Sequence, residues 1–223
     1  MRDHNQQVCW LSTDNGPPSR LDGVSGETKR RMPAAARRER IVAAALEEFA
    51  AGGYDGTSMG TIAEHAGITR AVLYDHFESK EALYLGLLEE RNTAFLGHVG
   101  ARITGTGNPR ERMRETIDTV FAFAEEEPPS WRLLFGGDIS GDGEPARARL
   151  QVHTQLVGAV AALLASDAEA AGIDPSAREA MVEMLIAALR GAVEWRAHHP
   201  GTDRELVVDA AMELLWRGLG RDG

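Results

Sequence analysis

Residues 56–83 constrain the fold of this chain more than any other stretch, because they hold two short apolar segments separated by the three residues Gly67, Ile68 and Thr69. The segments, residues 59–66 and 70–77, each follow a serine or threonine, the residue types that cap helix N-termini. Gly67 lies between them, where glycine typically ends a helix. Alanine side chains on the facing surfaces allow two such helices to approach closely. The spacing therefore predicts a helix-turn-helix over about residues 58–77.

The second of these helices presents a mixed polar surface on the side that does not pack. In a helix-turn-helix, this helix enters the major groove of DNA, and its N-terminus points backbone amides at phosphates or base edges. Val72 either meets a thymine methyl group there or packs into the core. The side chains predicted to face outward are Arg70, Ala71, Tyr74, Asp75 and His76.

The rest of the chain after Pro33 repeats apolar side chains at helical spacing, and no segment shows the alternation of a strand. We therefore predict an all-α fold in two parts. These are an N-terminal domain of three helices with the helix-turn-helix, at residues 33–96, and a C-terminal helical domain at residues 97–223. Residues 1–32 are polar, contain glycine and proline, and lack an apolar period, so we expect a disordered extension. The pair Pro128–Pro129 is expected to stop a helix.

Charge is distributed unevenly along the sequence. The formal net charge of -10 argues against nucleic-acid binding when taken alone, because phosphate contacts need lysine and arginine. Residues 29–40, however, contain six basic side chains and one acidic side chain, a net charge of +5. Such a segment on an acidic protein is compatible with DNA binding at one end, or with a solvated tail and helix face.

Few sequence features point to a compartment other than the cytoplasm, which we take as the expected location. Cys9 is the single cysteine, so an intramolecular disulfide is excluded. No apolar run approaches the ~18 residues of a membrane span, and we expect no membrane association.

Residues 36–96 resemble the DNA-binding segment of the TetR family of bacterial regulators. The resemblance implies a homodimeric transcriptional regulator that binds palindromic, double-stranded operator DNA, as a repressor released by a small-molecule inducer. A ligand-independent regulator or an activator of the same family is the alternative. The matching pieces are Arg-Ile at 40–41, Gly-Tyr-Asp-Gly-Thr-Ser at 53–58, Ile-Ala-x-x-Ala-Gly-Ile at 62–68, and Leu-Tyr-x-His-Phe-x-Ser-Lys-Glu-x-Leu at 73–83.

The resemblance also implies roles for single residues. Some positions would meet base edges and others the DNA backbone. The positions that match DNA contacts are Thr57 or Ser58 at the start of the second helix, Thr69, Arg70, Ala71, Tyr74 and His76 around the third, and Lys80 at the start of the fourth.

Aromatic side chains in the C-terminal part are candidates for an inducer pocket, although aromatic residues at helical spacing more often form plain core. The resemblance implies such a pocket in the C-terminal domain, with apolar walls and a few polar groups. His153 is either a satisfied core histidine or one of these polar groups. The predicted pocket residues are Phe95, Phe121, Trp131, Phe135 and His153.

The last two long helices carry more apolar surface than a single core needs. Helices with two apolar faces lie either in the centre of a core or at a subunit interface, and the resemblance favours the interface. The residues predicted for a dimer interface are Met181, Leu185, Leu189 and Leu214.

Catalysis and metal binding find little support in the sequence. His198 and His199 are adjacent, so on a helix they point apart, and no other histidine or cysteine is spaced with them as in a zinc site. No nucleophile elbow, Walker loop or dinucleotide fingerprint is present. We therefore expect no metal and no cofactor, and a small helical enzyme is the least favoured alternative.

Overall fold

The computed structural model describes residues 33–136, 143–170 and 172–218, and within these ranges the chain is helical without a β-strand, which confirms the predicted all-α fold. The predicted extension at residues 1–32 and the loop residues 137–142 lie outside the described residues. The helices are α1 (Ala34–Gly56), α2 (Met59–His65), α3 (Arg70–Tyr74), α4 (Lys80–Ile103), α5 (Pro109–Glu126), α6 (Pro128–Phe135), α7 (Glu144–Leu163), α8 (Ala165–Ala170), α9 (Arg178–Ala197) and α10 (Arg204–Gly218), with a short 3-10 turn at Pro175–Ala177 before α9.

The first three helices end and begin where the sequence places its turn and cap residues. Gly53 interrupts α1 with φ 69°, a left-handed conformation that favours glycine. Ser58 caps α2 by accepting a hydrogen bond from the Thr61 amide, and the Thr61 hydroxyl accepts one from the Ser58 amide in return. Thr69 caps α3 in the same way, by accepting from the Val72 amide at 3.3 Å.

Helix α4 joins the two halves of the protein. Its 24 residues correspond to a length of ~36 Å. Side chains from Leu83 to Leu88 belong to a core cluster shared with α1, α2 and α3, and side chains from Phe95 to Ile103 belong to a second cluster among the C-terminal helices. The predicted boundary near residue 96 therefore falls inside one continuous helix, and the division into two domains stays a prediction.

Proline shapes the junction between α5 and α6. The sequence predicts that Pro128 and Pro129 stop a helix, and α5 does end at Glu126. Pro128 then begins α6 at once, because the first turn of a helix needs no amide donor there. Helix α6 packs against α1, where Leu133 enters the first core cluster.

Ion pairs join α5 to the last two helices. Arg114 pairs with Asp209, Arg196 pairs with Glu125, and Arg204 Nε lies 3.0 Å from Asp118 Oδ1. In the described part of the chain, no helix is long and apolar enough to span a membrane.

Candidate nucleic-acid interface and internal cavity

Helices α2 and α3 form a tight helix-turn-helix. Ile62 and Ala63 on α2 and Leu73 on α3 are buried in the shared core. The Ile68 amide donates to the Ala63 carbonyl at 3.0 Å across the turn. Gly67 has φ 63°, so this turn needs glycine, and the sequence predicted the helix end there. This packing fixes the orientation of α3 relative to α2.

The outer surface of α3 carries most of the predicted DNA contacts. Thr69, Arg70 and Ala71 are exposed, and Tyr74 has 52% of its surface exposed. Val72 is half-buried, so it is neither fully packed into the core nor fully available to a thymine methyl group. An exposed helix of this kind, with a capped N-terminus, presents both side chains and backbone amides to a ligand.

Arg70 lies across Gly60 of the neighbouring helix α2. A Cβ atom placed on Gly60 would lie 2.1 Å from Arg70 Nη2 and 2.8 Å from Arg70 Cζ. The guanidinium group therefore occupies space that every other residue type at position 60 would fill. Sequence reasoning missed this pairing, because a glycine inside a helix gives no sign of which side chain approaches it.

Lys80 connects the start of α4 to the end of α1. Its Nζ donates to the Tyr54 carbonyl at 2.8 Å and to the Thr57 carbonyl at 3.0 Å, and it lies 4.0 Å from the centre of the Tyr54 ring. The ammonium group has three N–H donors, and these two carbonyls take two of them. Lys80 thus holds the segment between α1 and α2 in place. One N–H donor remains, and its contact with a DNA phosphate stays a prediction.

The aromatic rings around Lys80 form a small cluster. Tyr84 lies edge-on to both Phe49 and Tyr54, with ring centroids 5.0 Å apart in each pair. Burial raises the pKa of both tyrosines, and the nearby Glu81 carboxylate raises that of Tyr54 further. Both phenols therefore stay neutral around neutral pH, and the cluster acts as an uncharged support for the ammonium group.

Thr57 is a correction to the predicted DNA contacts. The sequence offered Thr57 or Ser58 as a backbone contact, but only 4% of Thr57 is exposed. Its hydroxyl donates to backbone carbonyls of α1, at 2.8 Å to that of Gly53 and 3.0 Å to that of Glu48. A phosphate cannot reach this group, whereas Ser58 is exposed at the surface. His76 is half-buried beside the end of α3.

A cavity of about 150 Å³ lies among the C-terminal helices. Its walls come from α4, α5, α6, α7, α8, α9 and α10, and they are almost entirely aliphatic and aromatic. Phe95, Val99 and Ile103 of α4 form one wall. Arg112 on α5 and Asp167 on α8 lie at the cavity surface and bind each other. The cavity is suited to a small apolar or amphiphilic molecule.

Three of the five predicted pocket residues line this cavity, namely Phe95, Trp131 and Phe135. Phe121 is fully buried in the core outside the cavity wall. His153 Nε2 lies 2.9 Å from Glu183 Oε1 beside a separate pocket, so it has a polar partner within the protein. The aromatic pattern identified this region, but it did not distinguish wall from core.

The predicted interface residues divide between two surfaces. Met181, Leu185 and Leu189 of α9 line the cavity and are half-buried. Leu214 of α10 is 68% exposed, and its place in an interface stays a prediction. The exposed apolar side chains of α9 lie on its other face. They are Met184, 66% exposed, and Trp195; on α10, Leu206 is exposed as well as Leu214.

Among the residues that the structure describes, no group of three or more histidine, cysteine, aspartate or glutamate side chains is arranged to hold a metal ion.

Comparison with known proteins places this fold among transcriptional regulators. Residues 41–87 match the family model for bacterial regulatory proteins of the tetR family. The HTH-type transcriptional activator FasR of Mycolicibacterium smegmatis is 30% identical over 191 residues, which cover 85% of each chain.

Solved structures share the fold at lower sequence identity. A TetR-like transcriptional regulator from Rhodococcus sp. RHA1 superposes with a TM-score of 0.69 at 23% identity, over 86% of this chain and 100% of that one. The regulator FadR from Bacillus subtilis, solved in complex with stearoyl-CoA, has a TM-score of 0.65 at 18% identity, over 80% of this chain and 97% of that one. The helix-turn-helix, the family match and the extended similarity to FasR together identify the chain as a member of the TetR family of DNA-binding transcriptional regulators.

Proposed function

We propose that this regulator is a homodimeric repressor whose affinity for a palindromic operator is lowered by a small apolar molecule in the internal cavity. The observation that carries the proposal is the course of α4. The helix begins at Lys80 beside α3, and its side chains from Phe95 to Ile103 form a wall of the cavity. A ligand that moves this wall therefore moves the support of the DNA-binding helix.

The DNA contacts that we propose come from one surface. Arg70 and Ala71 would meet base edges in the major groove, while Ser58, Thr69, Tyr74 and His76 would contact the backbone. The two α3 helices of the dimer, one from each subunit and related by the two-fold axis, imply half-sites about one helical turn apart, ~34–36 Å, or multiples of it.

Exposed apolar side chains on α9 and α10 support the proposed dimer. Met184, Trp195, Leu206 and Leu214 each leave about half or more of their surface uncovered in the single chain. A patch of large apolar groups on two adjacent helices commonly marks an interface with another chain. Two helices from each subunit would bury it in a four-helix bundle.

The switch follows from the geometry of two linked recognition helices. Both α3 helices of the dimer must fit successive major grooves at once, so a change in their separation lowers affinity at both half-sites. A ligand needs only to prefer the spacing that does not fit DNA, and such coupling is commonly worth ~1–3 kcal/mol. By the same linkage, operator DNA must weaken binding of the ligand by an equal factor.

An activator is the second candidate function, because the FasR relative carries that name. DNA binding and ligand response would be the same for both functions. They differ in the direction of the effect on transcription from the bound promoter.

The DNA upstream of the gene for this protein provides the first test. We expect a complex with that fragment that persists at physiological salt, measured by fluorescence anisotropy, and much weaker binding to a scrambled fragment of equal length. Sequence-blind, salt-sensitive binding to both fragments would contradict an operator-specific regulator. Transcription in vitro from the same fragment then separates the candidates, because a repressor lowers the yield of transcript and an activator raises it.

Calorimetry tests the proposed switch. 1-Octanol is a suitable first probe, because its unbranched apolar chain matches the aliphatic and aromatic walls of the cavity. We expect its affinity to fall when the protein is saturated with operator. Equal affinities with and without operator would mean that the cavity does not control DNA binding.

A further inference from the structure

The cavity contains one charged feature in an otherwise apolar wall. Of the described residues that line it, only Arg112 and Asp167 carry a formal charge. Arg112 lies in the second turn of α5 and Asp167 in the short helix α8. A charged pair in an apolar cavity is costly to bury, and only good pairing geometry and satisfied hydrogen bonds offset that cost.

The geometry of the pair resembles a ligand contact more than a surface ion pair. Arg112 Nη2 lies 2.8 Å from Asp167 Oδ1 and 2.7 Å from Asp167 Oδ2. Nη1 donates to the Gly107 carbonyl at 2.7 Å, which holds the guanidinium plane in one orientation. Only 18% of the arginine side chain and 27% of the aspartate side chain are exposed. The guanidinium group is therefore pre-positioned for a carboxylate or phosphate.

We propose that Arg112 binds the anionic headgroup of a ligand whose apolar body fills the cavity, and that Asp167 occupies this headgroup position until the ligand displaces it. The inference rests on the proposed function, because it takes the cavity as the effector site. Exchange of one carboxylate for another preserves the hydrogen bonds of Arg112, so the arginine is never left buried without a partner. Asp167 is partly exposed, and a change of rotamer turns its carboxylate toward water.

The exchange also gives a bound anionic ligand a second effect on the structure, beyond displacement of the α4 wall. Asp167 fastens α8 to α5 through this pair, so the arrival of an anionic headgroup releases α8. A neutral apolar molecule fills the same cavity but leaves the pair intact. The ligand class is therefore an amphiphile with an anionic end and an apolar chain.

Matched eight-carbon probes separate the headgroup from the chain. Octanoate, octyl phosphate and 1-octanol share one chain and differ in the headgroup, and their affinities for the full-length protein are measured by calorimetry. We expect both anions to bind more tightly than 1-octanol. The comparison of octanoate with octyl phosphate shows whether carboxylate or phosphate is the better match.

Three variants test the exchange. Asp167→Asn keeps the size of the side chain but removes the competing charge, so octanoate affinity should rise about fivefold while 1-octanol affinity is unchanged. Arg112→Lys keeps the charge but loses the planar fork, so the preference for octanoate should fall. Arg114→Gln is the matched control, because Arg114 is also on α5 but pairs with Glu205 and Asp209 outside the cavity wall.

Several results would overturn the proposal. Equal affinities of the wild-type protein for octanoate and 1-octanol would exclude a headgroup site, even if a variant fails to fold. A parallel loss of affinity for both probes in Asp167→Asn would assign the pair a purely structural role. If 1-octanol binds and lowers DNA affinity in either case, the proposed function stands and only this inference falls. If no probe binds, both fall.

Discussion

Thr57→Val tests whether residue 57 supports the helix-turn-helix or contacts DNA. Valine has nearly the shape of threonine, but it removes the donor that the Gly53 and Glu48 carbonyls share inside the protein. Loss of one buried hydrogen bond at a site that is 4% exposed should lower the free energy of unfolding by about 1–2 kcal/mol. For a chain of this length, that change lowers Tm by about 2–8 °C.

The assay combines thermal unfolding with DNA binding. Tm is measured by circular dichroism at one fixed protein concentration, because unfolding of a dimer depends on concentration. Operator affinity is measured well below Tm, where the variant is folded, and we expect it to equal that of the wild type. Thr93→Val is the control, since Thr93 is exposed on α4 and its replacement should change stability by no more than about 0.5 kcal/mol.

The two roles predict opposite results. If the Thr57 hydroxyl contacts a phosphate instead, Thr57→Val should lower operator affinity and leave Tm near the wild-type value. That outcome would refute the placement of the hydroxyl inside the protein. It would also restore the contact that the family resemblance implied.

Three further predictions concern the DNA surface and the dimer. Tyr74→Ala should weaken binding to operator and scrambled DNA alike in anisotropy titrations, because it removes an exposed ring that would contact the DNA backbone. Unchanged affinity for both would mean that α3 does not bind DNA in the proposed way. Gly60→Ala should displace the Arg70 guanidinium and lower the ratio of operator to scrambled affinity without lowering Tm, since alanine favours a helix by about 0.5–1 kcal/mol over glycine. Adding Gly60→Ala to Arg70→Ala should then have no further effect on that ratio, and an additive loss would show that the two residues act separately. Leu214→Glu should convert the dimer to a monomer in sedimentation velocity at micromolar concentration, because it places a charge in the apolar patch, while Thr93→Glu should leave the dimer intact. A dimer that survives Leu214→Glu would exclude this part of α10 from the interface.

Local sequence signals determined the helix-turn-helix. Ser58, Thr69 and Gly67 act within one or two turns of the backbone, so their capping and turn roles can be read without knowledge of the fold. The same holds for the all-α class, because helical periodicity is a property of each segment alone. Pro128 shows the limit of such signals, since the sequence predicts where a helix stops but not that another begins at once.

Only the tertiary structure decided which face of each helix is covered. Helix α9 carries two neighbouring apolar stripes. The sequence did not reveal that Met181 and Leu189 face a cavity while Met184 faces outward. The pairs Gly60–Arg70 and Arg112–Asp167 likewise join residues on different helices, 10 and 55 positions apart. Periodicity fixes the angle between side chains on one helix, but the rotation of that helix against its neighbours depends on all of their packed surfaces at once.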